Sequence, residues 1–307
     1  MSRAEDVFSR VAVVDGFLAD PRPLRRAFER ATDDRSDPLD PVRFQWEHWN
    51  VAGQFSQHRA PARAVLGDAM GAFEARLLAW ARRNVGLGRI ASPPWISFLV
   101  EGQYQGLHRD GPNGLVAFSY GLSWPKAPRF RGGETLLARP ELLDYFGTGA
   151  HRAEAARDPL FDEIPSRYNR LVAFDARLPH AVARVGGVER ALDGRVAIQG
   201  WLAPGGLLVT GRDDEDACRA AVDRALAEVT PSARDEGYVA VALDVARAGT
   251  VTRARPIADL GLPGTRGLAL ACRALARARF EPRPRATEVV VPIACGPRRA
   301  RVAGGAA

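Results

Sequence analysis

The chain has 307 residues, 46% of them hydrophobic, and a formal net charge of +7. That length holds one large domain or two of ordinary size, and that apolar content excludes global disorder. Residues 247–307 hold twelve Arg against three acids, so residues 1–246 carry only −2, which speaks against a nucleic-acid groove in the larger part of the chain.

RVAVVDGFL (10–18) is a Val-rich run that suits a strand. Asp20 then predicts an N-cap, with Pro21 at the first position of a helix whose apolar side holds Leu24, Ala27 and Phe28. Residues 34–60 are polar and aromatic and read as loop with short strands. Residues 61–84 give the clearest helix, with Val65, Leu66, Met70, Phe73, Leu77, Leu78 and Trp80 on one broad stripe. From 94 onward the pattern changes to short β runs between turns: 95–101, 114–123, 134–138, 170–176, 180–185 and 195–202. Their spacing suits an antiparallel sandwich or barrel, and 139–166 reads as a helical or irregular insertion.

The last third differs in character. Residues 211–229 form an acid-headed amphipathic helix, followed by a linker. Residues 238–257 alternate and break at Ala248–Gly249, a hairpin signal. A helix over 261–280 and a strand over 288–295 complete a β-β-α-β unit. The expected organisation is therefore 1–205 as a main domain, 206–234 as helix and linker, 235–296 as a small α/β domain and 297–307 as a disordered tail.

One constellation carries chemistry. His108 and Asp110 stand at i and i+2, so on a strand they project from one face. They supply two arms of a metal site, and His180, opening a later β run, supplies a third. Two His and one carboxylate with open positions make the facial triad of non-haem Fe(II) sites. Zinc accepts the same ligands, but no general base accompanies them in a hydrolase-like arrangement. Arg195 heads the strand RVAIQGWL, and its planar fork suits a bidentate pair with a carboxylate. Gly132 and Gly133 read as a turn, since no P-loop lysine follows them.

The ordered stretches SFLVEGQYQGLHRD, VAFSYGLSWPKAPRFRGGETLL, NRLVAFDARLPHAV and GRVAIQGWL, with AVVDGFLADPRPLRRAF before them, resemble the 2-oxoglutarate/Fe(II)-dependent dioxygenase superfamily in its prolyl-4-hydroxylase-like branch. The resemblance covers roughly residues 8–203. It implies a mainly β fold, a double-stranded β-helix (jelly roll) core with flanking helices, joined here to the small α/β domain. It implies His108, Asp110 and His180 as iron ligands and Arg195 as the anchor of 2-oxoglutarate. O2 is then the oxidant, ascorbate an auxiliary reductant the family allows, and hydroxylation of a C–H bond the reaction. Asp110 argues against halogenation, whose enzymes lack that carboxylate. The loop VGGVERALDG lengthens the gap from His180 to Arg195 and leaves Arg184 and Arg190 as rival anchors. Tyr120 and Tyr104 are candidates for the family's co-substrate tyrosine, with Gly121 as the rival occupant of that position.

The substrate expected from the resemblance is a protein or peptide side chain, with a free amino acid or small metabolite as the alternative. The C-terminal unit resembles a TonB-like C-terminal domain, which implies a place to hold a peptide or protein partner. A non-catalytic jelly roll working through that unit is the rival reading, and the intact triad argues against it. No apolar run suggests a membrane span or a secretory signal, so a cytoplasmic location is expected. Cys218, Cys272 and Cys295 are expected as reduced, buried thiols, with a Cys272–Cys295 bridge as the lesser option.

Overall fold

The computed structural model describes residues 7–32, 46–126, 128–142, 160–210, 215–231, 235, 237–261, 264–296 and 299–304. Twelve strands form the larger sheet: β1 (Val11–Asp15), β2 (Glu47–Val51), β3 (Phe55–Pro61), β4 (Arg89–Ile90), β5 (Trp95–Leu99), β6 (Tyr104–His108), β7 (Val116–Gly121), β8 (Thr135–Ala138), β9 (Phe161–Ile164), β10 (Arg170–Asp175), β11 (His180–Val182) and β12 (Arg195–Ala203). Their order is β1-β10-β7-β12-β5-β3-β6-β11-β8-β9, antiparallel throughout, with β2 on β3 and β4 on β12. The sheet curls on itself, because strands from its two halves line one cavity: β3, β5, β7 and β12 on one wall, β6, β8 and β11 on the other. This is the mainly β, jelly-roll class that the resemblance implies, and it agrees with the antiparallel sandwich or barrel read from the spacing of the short runs.

Alternation along the strands sorts the side chains. Ile96 and Phe98, Tyr120, Val196, Ile198 and Leu202 face outward and pack with helices α1 (Arg22–Thr32), α2 (Ala62–Leu66) and α3 (Ala69–Asn84). The residues between them, such as Ser97, Ser119, Gln199 and Trp201, face inward. With both faces covered, β7 and β10 are buried along their whole length. Asp20 caps α1 as expected, its carboxylate accepting from the Arg22 N–H at 3.1 Å.

Three local expectations are corrected. The helix predicted over 61–84 is two helices, because Gly67 takes φ +54° and breaks the turn within a stripe that is apolar on both sides. The short strands expected within 34–60 are β2 and β3, and β3 is central, pairing with β5 and β6. The insertion over 139–166 contains strand β9; its residues 143–159 lie outside the described residues. The tail expected to be disordered contains strand β17 (Arg299–Val302), paired with β16 (Thr287–Gly296).

The second sheet has the order β13-β16-β14-β15, from β13 (Leu208–Val209), β14 (Gly237–Val245), β15 (Val251–Asp259) and β16. The hairpin turns where expected, with Gly249 at φ +80°. Helix α4 (Glu215–Ala227) and a helix α5 confined to Gly267–Leu275, shorter than expected, cover one face. On β14, Val239, Val241, Leu243 and Val245 point to those helices. Tyr238, Ala240 and Ala242 point the other way, into the core shared with α3 and the jelly roll. The two units thus share one apolar core, while the helix side of the second sheet has its own. The face of β14 opposite its helices is covered by this chain's own α3 and jelly roll. All three cysteines are free, so the Cys272–Cys295 bridge is not formed. Among the described residues no helix is long and apolar enough to cross a membrane.

Tyr238 pins the junction: its buried hydroxyl reaches the carbonyls of Val85 (2.9 Å) and Gly86 (3.0 Å). Tyr238→Phe removes the donor and leaves two buried carbonyls without it. The expected loss of unfolding free energy is about 1–3 kcal/mol, read from urea denaturation with an unchanged m-value. A loss below about 0.5 kcal/mol would remove Tyr238 from this role.

Candidate metal centre

His108 ends β6 and His180 begins β11, and these strands pair so that the two residues stand directly opposite. Their rings lie 4.1 Å apart at 53°. Asp110 follows β6 by two residues, its N–H donating to Ala176 O at 2.9 Å. One ligand atom from each of the three lies within 4.8 Å of the others. Sheet register therefore assembles what 72 residues of sequence separate.

The protons on the rings are set by the backbone. Nδ1 of His108 sits 2.9 Å from Gly106 O, and Nδ1 of His180 sits 3.0 Å from Leu178 O. A carbonyl only accepts, so each Nδ1 carries a proton and each Nε2 is the atom turned toward Asp110. His180 Nε2 is 3.3 Å from Oδ2 and His108 Nε2 is 3.7 Å from Oδ1. The hydrogen bond between His180 Nε2 and the carboxylate occupies the place a metal ion would take. Burial, with the neighbouring His180, pushes the His108 pKa down and keeps its lone pair free. Burial alone would raise Asp110, but hydrogen bonding and attraction from His180 outweigh it, so its carboxyl lies below the usual range. Two imidazoles and one carboxylate, with the remaining directions open to a cavity of about 250 Å3, fit Fe(II) by donor type and number.

Arg195 begins β12 on the same inward face as Gln199 and Trp201 and is 1% exposed. Its Nε donates to Gly133 O at 2.8 Å and its Nη2 to Thr135 Oγ1 at 3.4 Å. Its Nη1 is buried with no hydrogen-bond partner. Burial draws its pKa down to about 10, Glu134 offsetting part of the effect, so it remains a cation at neutral pH. The Gly-Gly turn packs close against this side chain. Gly132 and Gly133 take φ +73° and +72°, and a Cβ on Gly133 would stand 2.9 Å from Phe130 Cε2 and 3.1 Å from Arg195 Cδ. A buried guanidinium with a free N–H, beside a threonine that lines the cavity, fits a carboxylate ligand such as the distal end of a 2-oxo acid.

The rival anchors lie elsewhere. Arg184 is exposed and rests over the Tyr104 ring at 4.3 Å, and Arg190 is exposed and paired with Asp193 at 3.2 Å. Tyr104 is thereby engaged outside the cavity lining, so its candidacy as a co-substrate ligand is corrected. Tyr120 is corrected too. Alternation turns it to the helical side of β7, where it packs on Phe73 (5.0 Å) and donates to Asn169 Oδ1 at 2.9 Å. Gly121 shares the side of Ser119 but lies outside the cavity lining, its space taken by Arg167 O, which a Cβ there would meet at 2.1 Å. The inward residue is Ser119, opposite Gln199 on β12. Sequence reading passed over Gln57, Arg59, Gln105, Ser119, Thr135 and Gln199, all of which line the cavity. The available signal was a polar residue at an inward position of an apolar run, as in VAFSYG and RVAIQGWLA.

No protein-family model and no curated protein matches the chain. Among solved structures, it is similar to a Pseudomonas putida prolyl-4-hydroxylase, with 15% identity over 64% of this chain and 92% of that one, at a TM-score of 0.42. It is similar to a prolyl hydroxylase from Trichoplax adhaerens, solved with a hypoxia inducible factor peptide, with 15% identity over 63% and 83% at 0.41. A third is the non-heme alpha ketoglutarate dependent epimerase SnoN of nogalamycin biosynthesis, with 14% identity over 64% and 78% at 0.44. The TonB-like resemblance of the C-terminal unit has no support in these comparisons.

Proposed function

We propose that the protein is an Fe(II)- and 2-oxoglutarate-dependent oxygenase that hydroxylates a C–H bond, in a peptide side chain or in a free amino acid or small metabolite. The observation that carries this reading is the meeting of His108, Asp110 and His180, with ligand atoms within 4.8 Å of one another, backed by a buried guanidinium with an unpaired N–H. Bound Fe(II), with 2-oxoglutarate and O2, would supply oxidation of a C–H bond coupled to decarboxylation of the 2-oxo acid to succinate. The chain's own part is positioning. Gly106 O and Leu178 O hold the two imidazoles in the ligating tautomer and orientation. Arg195 and Thr135 hold a distal carboxylate, and Arg195 is itself held by Gly133 O. Gln105 Nε2, now 3.0 Å from His108 Nε2, would move aside when that nitrogen binds metal. The inward faces of Trp95, Phe174 and Trp201 form apolar walls that limit water in the cavity.

The test is anaerobic addition of Fe(II) and then 2-oxoglutarate to the apoprotein. A visible metal-to-ligand charge-transfer band is expected. In Arg195→Gln, loss of a buried charge-assisted pair costs about 2 kcal/mol or more, so half-saturation by 2-oxoglutarate should need at least about 30-fold more co-substrate. Tightly bound metal with no band at any 2-oxoglutarate concentration would overturn the proposal.

A further inference from the structure

We propose that Arg59 is a specificity-determining residue that binds an anion, and that the molecule oxidised in this cavity carries a carboxylate. This rests on the oxygenase reading above and deepens it by naming a substrate class.

Arg59 sits on the inward face of β3, two residues from Gln57, and both line the cavity that holds the triad. Its guanidinium carbon lies 3.9 Å from the ring centroids of Trp49 and of Trp95. The two indoles, inclined at 55° with centroids 6.3 Å apart, form a wedge that holds the cation by its aromatic contacts and leaves N–H groups to meet a ligand. Its Nε is buried and has no hydrogen-bond partner. Burial lowers its pKa, with Glu47 the only group opposing that effect, and the Glu47 carboxylate is exposed and occupied by Trp49 Nε1 at 2.8 Å. Among the described lining residues the only carboxylate is Asp110, which the triad uses. Gln57 Oε1, also on this cavity, is buried without a partner as well. Folding has thus desolvated a cation and a further polar group in one place without satisfying them, at a cost that a ligand recovers. Arg195 accounts for one anion, the distal carboxylate of the co-substrate. A second cation, on a different strand and held by different neighbours, calls for a second anion. Its planar fork, held by the two indoles, matches a carboxylate.

The experiment follows succinate formation by the full-length protein with Fe(II), 2-oxoglutarate and O2. The probes are the twenty L-amino acids, their primary amides, and short peptides with free or amidated C-termini, with and without Asp or Glu. At least one carboxylate is expected to stimulate turnover, and its amide to do so with kcat/KM at least about 30-fold lower. Response to single amino acids identifies a free acid as the source; response to peptides alone identifies a peptide carboxylate. Arg59→Gln should raise KM for that acid by a similar factor, with a smaller change in kcat, and lose the preference for acid over amide. Arg59→Lys should recover part of both. Equal response to acid and amide, retained discrimination in Arg59→Gln, or no response from any probe in a protein that shows the charge-transfer band would each overturn the inference alone. A rise in 2-oxoglutarate half-saturation in Arg59→Gln matching that of Arg195→Gln would also overturn it, by placing Arg59 on the co-substrate. Absence of the band overturns both readings together.

Discussion

Asp110→Ala is expected to abolish Fe(II) binding and with it all 2-oxoglutarate turnover. The carboxylate is the one anionic arm of the three-ligand site and sits between the two imidazoles, 3.3 and 3.7 Å from their Nε2 atoms. Without it, two neutral nitrogens remain, and the charge that draws a divalent cation into a partly buried position is gone. Removing a group that merely orients a ligand typically lowers metal affinity about 10–100-fold; removing the ligand itself should exceed that range. Thermal unfolding gives a readout independent of activity. Fe(II) at about 100 times its dissociation constant should stabilise the wild-type protein by about 2.7 kcal/mol, and a chelator should reverse it. The variant should show no such response, while its apoprotein melts close to the wild type, because Asp110 supports no element of the fold besides the two histidines. An Asp110→Ala protein that Fe(II) still stabilises fully would remove this residue from the site.

Asp175→Ala is expected to be the most damaging single change to the fold. Asp175 ends β10, is 1% exposed, and receives hydrogen bonds from Arg10 Nη1 (2.8 Å) and from Arg177 Nε and Nη2 (3.0 and 2.7 Å). The same arginines reach across to the C-terminal sheet, Arg10 to Gly261 O and Arg177 to Leu260 O, both at 2.6 Å. The carboxylate is therefore the hub that fixes the N-terminal strand and the loop before His180 against the second sheet. Taking it away strands a buried guanidinium, a change that costs about 3–5 kcal/mol. Equilibrium unfolding in urea should show a loss of that size, and Arg10→Met combined with Asp175→Ala should lose less than Asp175→Ala alone, since no buried charge is then left without its counterpart. A loss under 1 kcal/mol in the single variant would show that the arginines find other partners.

The parts of the molecule that were legible in the sequence share a cause. His108, Asp110, His180 and Arg195 are residue types with few alternative roles at such positions, and each sits at the end of an apolar run, where strand boundaries are easiest to see. Arg195 could be separated from Arg184 and Arg190 only by burial, which depends on the Gly132–Gly133 turn seating it. Tyr120 was misplaced because its strand is buried on both faces. In VAFSYG only Ser119 marks the inward phase, and the Tyr120 hydroxyl beside it is a rival polar mark for the opposite one. The break at Gly67 was hidden for a similar reason: Val65 and Leu66 before it and Met70 and Phe73 after it bury into the same core. Strand β17 reads RARV, and nothing in four such residues shows that the neighbouring β16 leaves an edge for them. The joint interior of the two units was illegible for a different reason. Tyr238 and Val85 meet across 153 residues, and no local pattern encodes so distant a contact.

Phe8 precedes the first strand of the jelly roll, yet its backbone partners lie near the far end of the chain: its N–H donates to Ile257 O at 2.9 Å, and its carbonyl accepts from the Asp259 N–H at 3.0 Å. On a ribosome these partners emerge about 250 residues apart. At roughly 5–20 residues per second, the start of the nascent chain waits on the order of 10–50 s for them. During that interval Trp80, which later meets the Phe8 ring at 6.4 Å, and the rest of the surface meant for β14 and β15 stand open to water and to other chains. The first two-thirds of the molecule can gather its strands and its metal ligands early. It becomes watertight only once β15 has emerged, so a premature stop anywhere before residue 260 should yield a sticky, chaperone-dependent fragment rather than a smaller folded protein.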